Sequence, residues 1–501
     1  MTLTSAIPLL AAAAVLSLAS AGGAAYTRED FDRADTALNN GNGYKNGLGG
    51  LLAWGESYIM LSYVEMYRAT KDTCYLDKLI DHADCVLANR DDNRKFRDYS
   101  GRSRAAWSVA EKYTVAELTL DDASGKGAVK LRSTPYCNND ETRVRVVPHP
   151  ADRTFDLFVE NPYWKRSEEY KGLSMERGSP DFVERRVNAR DWVAVDRKIA
   201  FSDKGSNLVT VDALGSGIPA EGSASLEPLW MAYHGYSGMI MLAMLELASM
   251  VKSDPSLAPR YGKSADRYIT EALKVFRDAE EEWRDGPRKH EGYYVFGSRG
   301  CPFWSDNVGK PFNYLGSEGV CLVRLGQLTG DSRWTARASG IARLFKRHLN
   351  LVENGSYVWD YWWGPIAEGW TRDNSPSFNT PTYAGSRCVE DSSHGCLEVY
   401  FAAHCADAGI VFDGEDMGRF AKTFMLNIFD LKTLSMNDTV DGKGESGQHD
   451  SMVGYWMELG KWDSRAAAAA LRIAERQKLS GAASGSSMLT LARAIKWSRV
   501  N

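Results

Sequence analysis

The chain has 501 residues, of which 44% are hydrophobic, 11% are aromatic and 25% are charged, and its formal net charge is −5. A chain of this length can bury a large core in one big domain or in two to three smaller ones. The small, mixed charge argues against a nucleic-acid binder, and an acidic polymer could be held only by local clusters of Arg and Lys.

Residues 1–25 have the pattern of a secretory signal peptide: an apolar run from Ile7 to Leu18 is followed by small residues up to Ala25. We therefore expect a secreted protein, either extracellular or periplasmic. No later segment approaches the ~20 apolar residues that a membrane-spanning helix requires, so we expect no association with a membrane.

Helical hairpins repeat along the chain. Residues 48–92 carry hydrophobic side chains at helical spacing, and Thr70-Lys-Asp divides them into two helices. The same design returns after Asn313, with Thr329-Gly-Asp at the matching turn. Further hairpins are predicted at 233–250 with 261–283, 391–406 with 415–428 and 451–459 with 464–477, before a last helix near 488–497. This repetition predicts an incomplete (α/α) toroid.

The inner helix of each hairpin begins with small and polar residues. These starts are GESY (55–58), YHGYSG (233–238), NYLGSEG (313–319), EDSSHG (390–395) and HDSMVGY (449–455). Because such side chains would make a poor core, we expect them to line a cleft at one rim of the toroid. The alternative is that they are ordinary N-caps, with small residues that allow tight packing.

Between residues 100 and 225 the pattern changes to short alternating segments rich in Val and Thr, with Gly, Asp, Asn and Pro between them. This predicts a mainly helical protein with an inserted, β-sandwich-like domain. The predicted organisation is a signal peptide at 1–25, the first part of the toroid at 26–99, the β-domain at 100–225 and the remainder of the toroid at 226–501.

The chain contains eight cysteines, and an exported chain permits disulfides, with Cys388–Cys396 as a possible pair. No C-x-x-C pair and no compact cluster of His, Cys and Asp with ligand spacing is visible. We therefore expect no metal and no cofactor.

Aromatic residues concentrate in two loops, 292–304 and 355–370, that precede inner helices. Flat rings can stack on the C–H faces of sugars while their polar edges stay hydrated, although such rings also pack in cores. We expect a groove for a sugar polymer. Its predicted contacts are Trp304, Trp362, Trp363, Tyr236, Tyr314, Tyr294 and Tyr455.

Three polar residues occupy equivalent starts of successive inner helices, namely His234, Asn313 and His394, with Arg387 just upstream of the last. A helical toroid with a β-domain and with Asn, His, Arg and Tyr at its cleft resembles the toroid polysaccharide lyases. The YVWDYW loop and the GESY and EDSSHG starts are closest to the alginate and glucuronan lyases of that group. The resemblance implies metal-independent β-elimination on an acidic polysaccharide that contains uronic acids.

β-Elimination requires that the uronate carboxylate be neutralised, that a base take the proton on C5 and that an acid protonate the leaving oxygen. Under the lyase resemblance, Asn313 and Arg387 neutralise the carboxylate with help from His234. His394 is the expected base and Tyr361 the expected acid, with Tyr294 and Tyr455 as alternatives to Tyr361.

Three other functions remain open from the sequence. An inverting glycoside hydrolase needs two carboxylates ~6.5–9.5 Å apart. The candidates at the helix starts and loops are Glu56, Asp360, Glu390, Asp391 and Asp450. A uronyl C5-epimerase would share the proton abstraction, and a carbohydrate-binding protein without catalysis would need only the aromatic surface.

Overall fold

The computed structural model describes residues 26–38, 48–110, 112–134, 138–188, 193–195, 198–200, 204–481 and 484–499. The predicted signal peptide at 1–25 lies outside these residues. None of the helices in the described ranges is long and apolar enough to cross a lipid bilayer.

Twelve helices in the described ranges are arranged in pairs. They are α1 (Arg28–Ala37), α2 (Ser57–Thr70), α3 (Cys74–Ala88), α4 (Ser237–Ser253), α5 (Ala258–Asp278), α6 (Phe312–Thr329), α7 (Ser332–Arg347), α8 (Ser392–Asp407), α9 (Gly414–Lys422), α10 (Val453–Trp456), α11 (Ser464–Arg476) and α12 (Gly485–Trp497). Four further short helices lie at Gly49–Leu51, Asp91–Arg94, Val183–Val187 and Pro365–Glu368, and a π-helical turn at Leu52–Glu56 leads into α2.

The inner helices form a ring. Helix α2 packs against α4, α4 against α6, α6 against α8, α8 against α10 and α10 against α12, which returns to α2. The outer helices α3, α5, α7, α9 and α11 each pack on the inner helix that precedes them, and α1 packs on α12. The ring of described helices is therefore closed, whereas the sequence predicted an incomplete one. The difference arises because the last helix of the chain packs beside the first inner helix.

Glycines allow the inner helices to approach one another closely. A Cβ atom at Gly238 in α4 would lie 2.4 Å from the backbone N of Glu318 in α6, and one at Gly485 in α12 would lie 2.3 Å from the carbonyl O of Gly55. No side chain fits at such distances. These two glycines therefore serve tight packing, which agrees with the alternative interpretation in the YHGYSG start.

Eight strands between Ala116 and Pro228 form two four-stranded antiparallel sheets. The strands are β1 (Ala116–Asp121), β2 (Gly127–Ser133), β3 (Arg143–His149), β4 (Thr154–Asn161), β5 (Arg166–Ser174), β6 (Val209–Ala213), β7 (Gly222–Ser225) and β8 (Glu227–Pro228). The orders are β7-β3-β4-β5 and β8-β1-β2-β6. Alternate residues are buried, as in β4, where Phe155, Leu157 and Val159 face inward. These side chains belong to a hydrophobic cluster separate from that of the helices.

Five short two-stranded pairs also lie in the described ranges. They are Ser108–Val109 with Met231–Ala232, Val193–Val195 with Lys198–Ala200, Trp283–Asp285 with Gly292–Tyr294, Asn350–Leu351 with Tyr357–Val358, and Phe429–Asp430 with Ser435–Met436. The first pair joins the segment that enters the two large sheets to the segment that leaves them, next to the start of α4.

No disulfide joins two of the described cysteines. Cys396 is buried in α8, and its thiol donates to the carbonyl O of Ser393 at 3.0 Å. The possible Cys388–Cys396 pair is therefore not formed.

Candidate active site

A pocket of about 580 Å³ lies where the N-terminal ends of four inner helices face the β-rich part of the chain. The helices contribute Trp54 ahead of α2, Tyr236 ahead of α4, Tyr314 of α6 and His394 of α8. The remaining lining residues are Val109, Lys112, Tyr113, Thr114, Asn138, Tyr163, Tyr233, Phe296, Phe303, Trp304, Tyr361, Trp362 and Tyr383. Twelve of these seventeen residues are aromatic, so the wall offers flat apolar faces with polar edges.

His394 is fixed in this pocket from several sides. Its Nδ1 lies 2.5 Å from Oδ2 of Asp391. The centroid of its ring lies 5.6 Å from that of Trp54 and 5.4 Å from that of Tyr361. Its Nε2 has no hydrogen-bond partner among the described residues. If Nδ1 donates to the carboxylate, Nε2 is the nitrogen that can exchange a proton with a bound molecule.

Asp391 is both the N-cap of α8 and the partner of His394. Its Oδ1 accepts the backbone N–H groups of Ser393 at 2.8 Å and of His394 at 2.9 Å. Burial raises the pKa of Asp391, but the hydrogen bonds from His394 and Ser393 outweigh it and hold the pKa well below the usual range. The positive end of α8 also favours the charged form, so Asp391 is a carboxylate at neutral pH.

The pKa of Glu390 is shifted in the opposite direction to that of Asp391. Its side chain is fully buried, and its Oε1 accepts the backbone N–H of Asp391 at 2.8 Å. Burial first, and then the nearby charges of Glu398 and Asp391, raise the pKa of Glu390 well above its ordinary value. Neighbouring carboxyl groups whose pKa values are driven apart are the pattern from which acid and base roles are assigned.

Glu390, Asp391 and His394 each place one possible ligand atom within 4.8 Å of the others. The expectation that no compact group of this kind exists is therefore wrong, because three residues of one helix start come together only when the turn forms. Asp391 and His394 already bind each other, and Asp391 caps α8. Hydrogen bonding within the protein accounts for this arrangement, and we assign no metal to it.

Three residues that the sequence placed beside His394 do not line the pocket. His234 is buried, and its Nε2 lies 2.9 Å from Oδ2 of Asp278 on the outer helix α5. Asn313 is 1% exposed, and neither its amide nitrogen nor its amide oxygen has a partner among the described residues. Arg387 is exposed at a loop outside the pocket. Equivalent positions in the sequence therefore have different surroundings, because each helix start packs against different neighbours.

Three predicted aromatic contacts belong to the core instead. Trp363 is buried, and its indole N–H donates to the carbonyl O of Lys310 at 2.8 Å. Tyr294 is fully buried. The ring of Tyr455 is buried 4.2 Å from the guanidinium carbon of Arg493. None of the three lines the pocket, so their proposed contact with a substrate is not supported.

Six predicted residues do line the pocket, namely His394, Tyr361, Trp304, Trp362, Tyr236 and Tyr314. Sequence reasoning missed Trp54, although it stands directly before the GESY start that was singled out. It also missed Lys112, Tyr113, Asn138 and Tyr163. No motif in the neighbouring sequence marks these residues, because the packing of the β-rich segment brings them to the pocket.

The carboxylates considered for a hydrolase divide into two groups. Glu56 pairs with His82, and Asp450 pairs with Arg476, so both are engaged inside the protein. Asp360 is partly exposed, and burial raises its pKa although nearby positive charges lower it. Asp391 bonds directly to His394 of the pocket, and Glu390 accepts the backbone N–H of Asp391.

No family model and no curated protein matches the chain. Solved structures that resemble it include an inactive variant of the α-1,6-mannanase of Salegentibacter sp. HEL1_6 bound to α-1,6-mannotriose. It is 13% identical over 54% of this chain and 76% of its own, with a TM-score of 0.33. A family 76 glycoside hydrolase from a bovine Bacteroides thetaiotaomicron strain is 10% identical over 75% of this chain and 97% of its own, with a TM-score of 0.30.

The predicted resemblance to polysaccharide lyases, and with it β-elimination on alginate or glucuronan, is wrong. The similar solved structures are glycoside hydrolases of family 76. The geometry supplies a physical reason, because Asn313 and Arg387 do not line the pocket in which they were expected to neutralise a uronate. Among the lining residues only Lys112 and His394 can carry a positive charge, which does not fit an acidic polymer.

Proposed function

We propose that the protein is a glycoside hydrolase that acts on an uncharged sugar chain. The observation that carries this proposal is the meeting of an aromatic pocket with the Asp391–His394 pair, directly beside the protonated Glu390. Aromatic walls suit the apolar faces of sugar rings, and the scarcity of charge in the pocket favours a neutral substrate.

Hydrolysis of a glycosidic bond requires one group that protonates the leaving oxygen and another that activates water or attacks the sugar. We assign the contact with the sugar to Asp391 and His394, whose side chains are 27% and 31% exposed. Glu390 is fully buried and holds a proton behind them. Glu390 and Asp391 lie within 4.8 Å, less than the ~6.5–9.5 Å that leaves room for water in inverting enzymes, so this pair does not support inversion.

The proposal includes an architecture and a location. We propose that the helix pairs form an (α/α) toroid and that the two large sheets are a sandwich-like insertion that supplies one wall of the pocket. We further propose that the enzyme acts outside the cytoplasm, which rests on the signal-peptide pattern of residues 1–25.

The proposal is tested by incubating the protein with neutral polysaccharides, α-1,6-mannan among them, and with alginate and glucuronan. We expect new reducing ends from a neutral polymer, without the ultraviolet absorbance of an unsaturated uronate. Asp391→Asn and His394→Ala should each lower turnover by ~10²-fold or more. Asp360→Asn is the matched control, because it removes a partly buried carboxylate that does not line the pocket, and it should stay near wild type.

Three outcomes would contradict the proposal. Full activity in His394→Ala, or loss of activity only in Asp360→Asn, would show that the reaction does not take place in this pocket. Binding of a glycan without any release of reducing ends would leave a carbohydrate-binding protein as the better description.

A further inference from the structure

Two glutamates bury their carboxyl groups side by side behind the pocket. Glu390 and Glu398 are both fully buried, and neither forms a salt bridge with a described residue. Oε1 of Glu390 accepts the N–H of Asp391, and Oε2 of Glu398 accepts the indole N–H of Trp359. The other two oxygens, Oε2 of Glu390 and Oε1 of Glu398, have no donor.

The local chain explains why these two carboxyl groups meet. A Cβ atom at Gly395 would lie 3.2 Å from Cζ2 of Trp359 and 3.4 Å from Cγ of Glu390, so both side chains converge on the space above this glycine. Glu398 is one helical turn further along α8 and therefore lies on the same face. Each of the two carboxyl groups affects the pKa of the other, which agrees with their lying side by side.

Two acceptors in contact without a donor would leave two buried charges repelling each other, which is strongly unfavourable. One proton placed between the two oxygens satisfies both. We infer that Glu398 is a positioning residue, which shares one proton with Glu390 and thereby keeps Glu390 neutral behind the Asp391–His394 pair. The role in turnover rests on the proposed hydrolase function, whereas the shared proton does not.

The electrostatics agree with this arrangement. Burial raises the pKa of Glu398 to about 7, although bonds to Glu390 and Trp359 lower it. The other titratable groups that face the pair are Asp391, His394 and Cys396 on α8 and its start, and Tyr361 from the loop before it.

One proton shared by two carboxyl groups leaves one negative charge on the pair, and this charge lies on Glu398 while Glu390 is neutral. Ionisation of Glu390 would move that charge next to Asp391, and the shared proton prevents it.

Infrared spectroscopy detects the shared proton without any substrate. A protonated carboxyl absorbs as a C=O stretch that is separate from the carboxylate bands, and this signal should be present at neutral pH and decrease on titration to high pH. Glu390→Gln and Glu398→Gln should each remove it, because the new amide N–H can donate to the remaining carboxylate. Persistence of the band in either variant would show that the other residue holds the proton alone, and would overturn the inference.

Glu318→Gln is the matched control. Glu318 is also buried, and burial raises its pKa to about 7, but it accepts from the ammonium of Lys310 at 2.7 Å. Any carboxylic acid band that Glu318 contributes is subtracted with this variant. The band that belongs to Glu390 and Glu398 should remain in it.

The pH dependence of turnover tests the positioning role. In Glu398→Gln the pH profile of turnover should shift by about half a unit or more, because Glu390 no longer holds the shared proton. Glu390→Gln/Glu398→Gln should behave as Glu390→Gln alone. An additional effect of Glu398→Gln in the Glu390→Gln background would overturn the positioning role. If the wild-type protein hydrolyses no glycan, the proposed function fails while the infrared result still decides whether the proton is shared.

Discussion

The close approach of α4 and α6 makes Gly238→Ala a direct test of the ring. The added Cβ atom would lie 2.4 Å from the backbone N of Glu318 and 2.5 Å from the carbonyl C of Ser317, whereas such contacts essentially never fall below 3.0 Å. The obstacle is backbone, which cannot rotate away as a side chain can. Overpacking costs ~1–3 kcal/mol, and the better helix propensity of Ala returns at most ~1 kcal/mol. We therefore expect a net loss of ~1–2 kcal/mol in the free energy of unfolding.

The assay is the urea midpoint of unfolding, followed by circular dichroism and by tryptophan fluorescence. Gly262→Ala is the control, since Gly262 lies in the outer helix α5 and a Cβ atom there would have no neighbour within 4 Å. This control should gain ~0.5–1 kcal/mol from helix propensity alone. A Gly238→Ala protein as stable as Gly262→Ala would refute the direct contact between α4 and α6.

Three further predictions concern the site, acid stability and metal dependence. Trp362→Ala should weaken glycan binding by ~1–3 kcal/mol with little loss of stability, as measured by isothermal titration. Trp363→Ala should instead lower the free energy of unfolding by ~3–5 kcal/mol in urea, because it empties a core position. Burial raises the pKa of Asp278, but hydrogen bonds, the one from His234 first, outweigh it and hold the pKa at about 2, below the ~3.9 of an unfolded chain. Its contribution to stability is therefore complete above about pH 4 and is lost as the pH falls to 2, and Asp278→Asn should unfold with a shallower acid dependence over that range. A chelator should leave turnover unchanged, and full loss that a divalent ion restores would instead make Glu390, Asp391 and His394 a metal centre.

The periodicity of the sequence was sufficient to predict the helix pairs. Segments such as 313–329 and 391–406 repeat apolar residues at helical spacing, and α6 and α8 lie there. The alternating pattern between 100 and 225 likewise marked the strands of the two large sheets. Both signals are local, because they reflect which face of one element is buried. The sequence predicted the positions of the aromatic loops and of the EDSSHG start for the same reason.

Only the tertiary structure decided which of these residues meet. Asn313 and His394 occupy equivalent helix starts, yet one is enclosed in the protein and the other faces the pocket, because each turn is oriented by contacts with helices far away in the sequence. Tyr163 reaches the pocket from a hairpin that no pattern connects to α8. The sequence also did not predict the proton-sharing pair. Glu398 lies in an apolar helix, and only the packing around Gly395 and Trp359 places Glu390 beside it. Periodicity records burial, whereas convergence depends on packing between distant segments, and that information is not present in any single stretch of sequence.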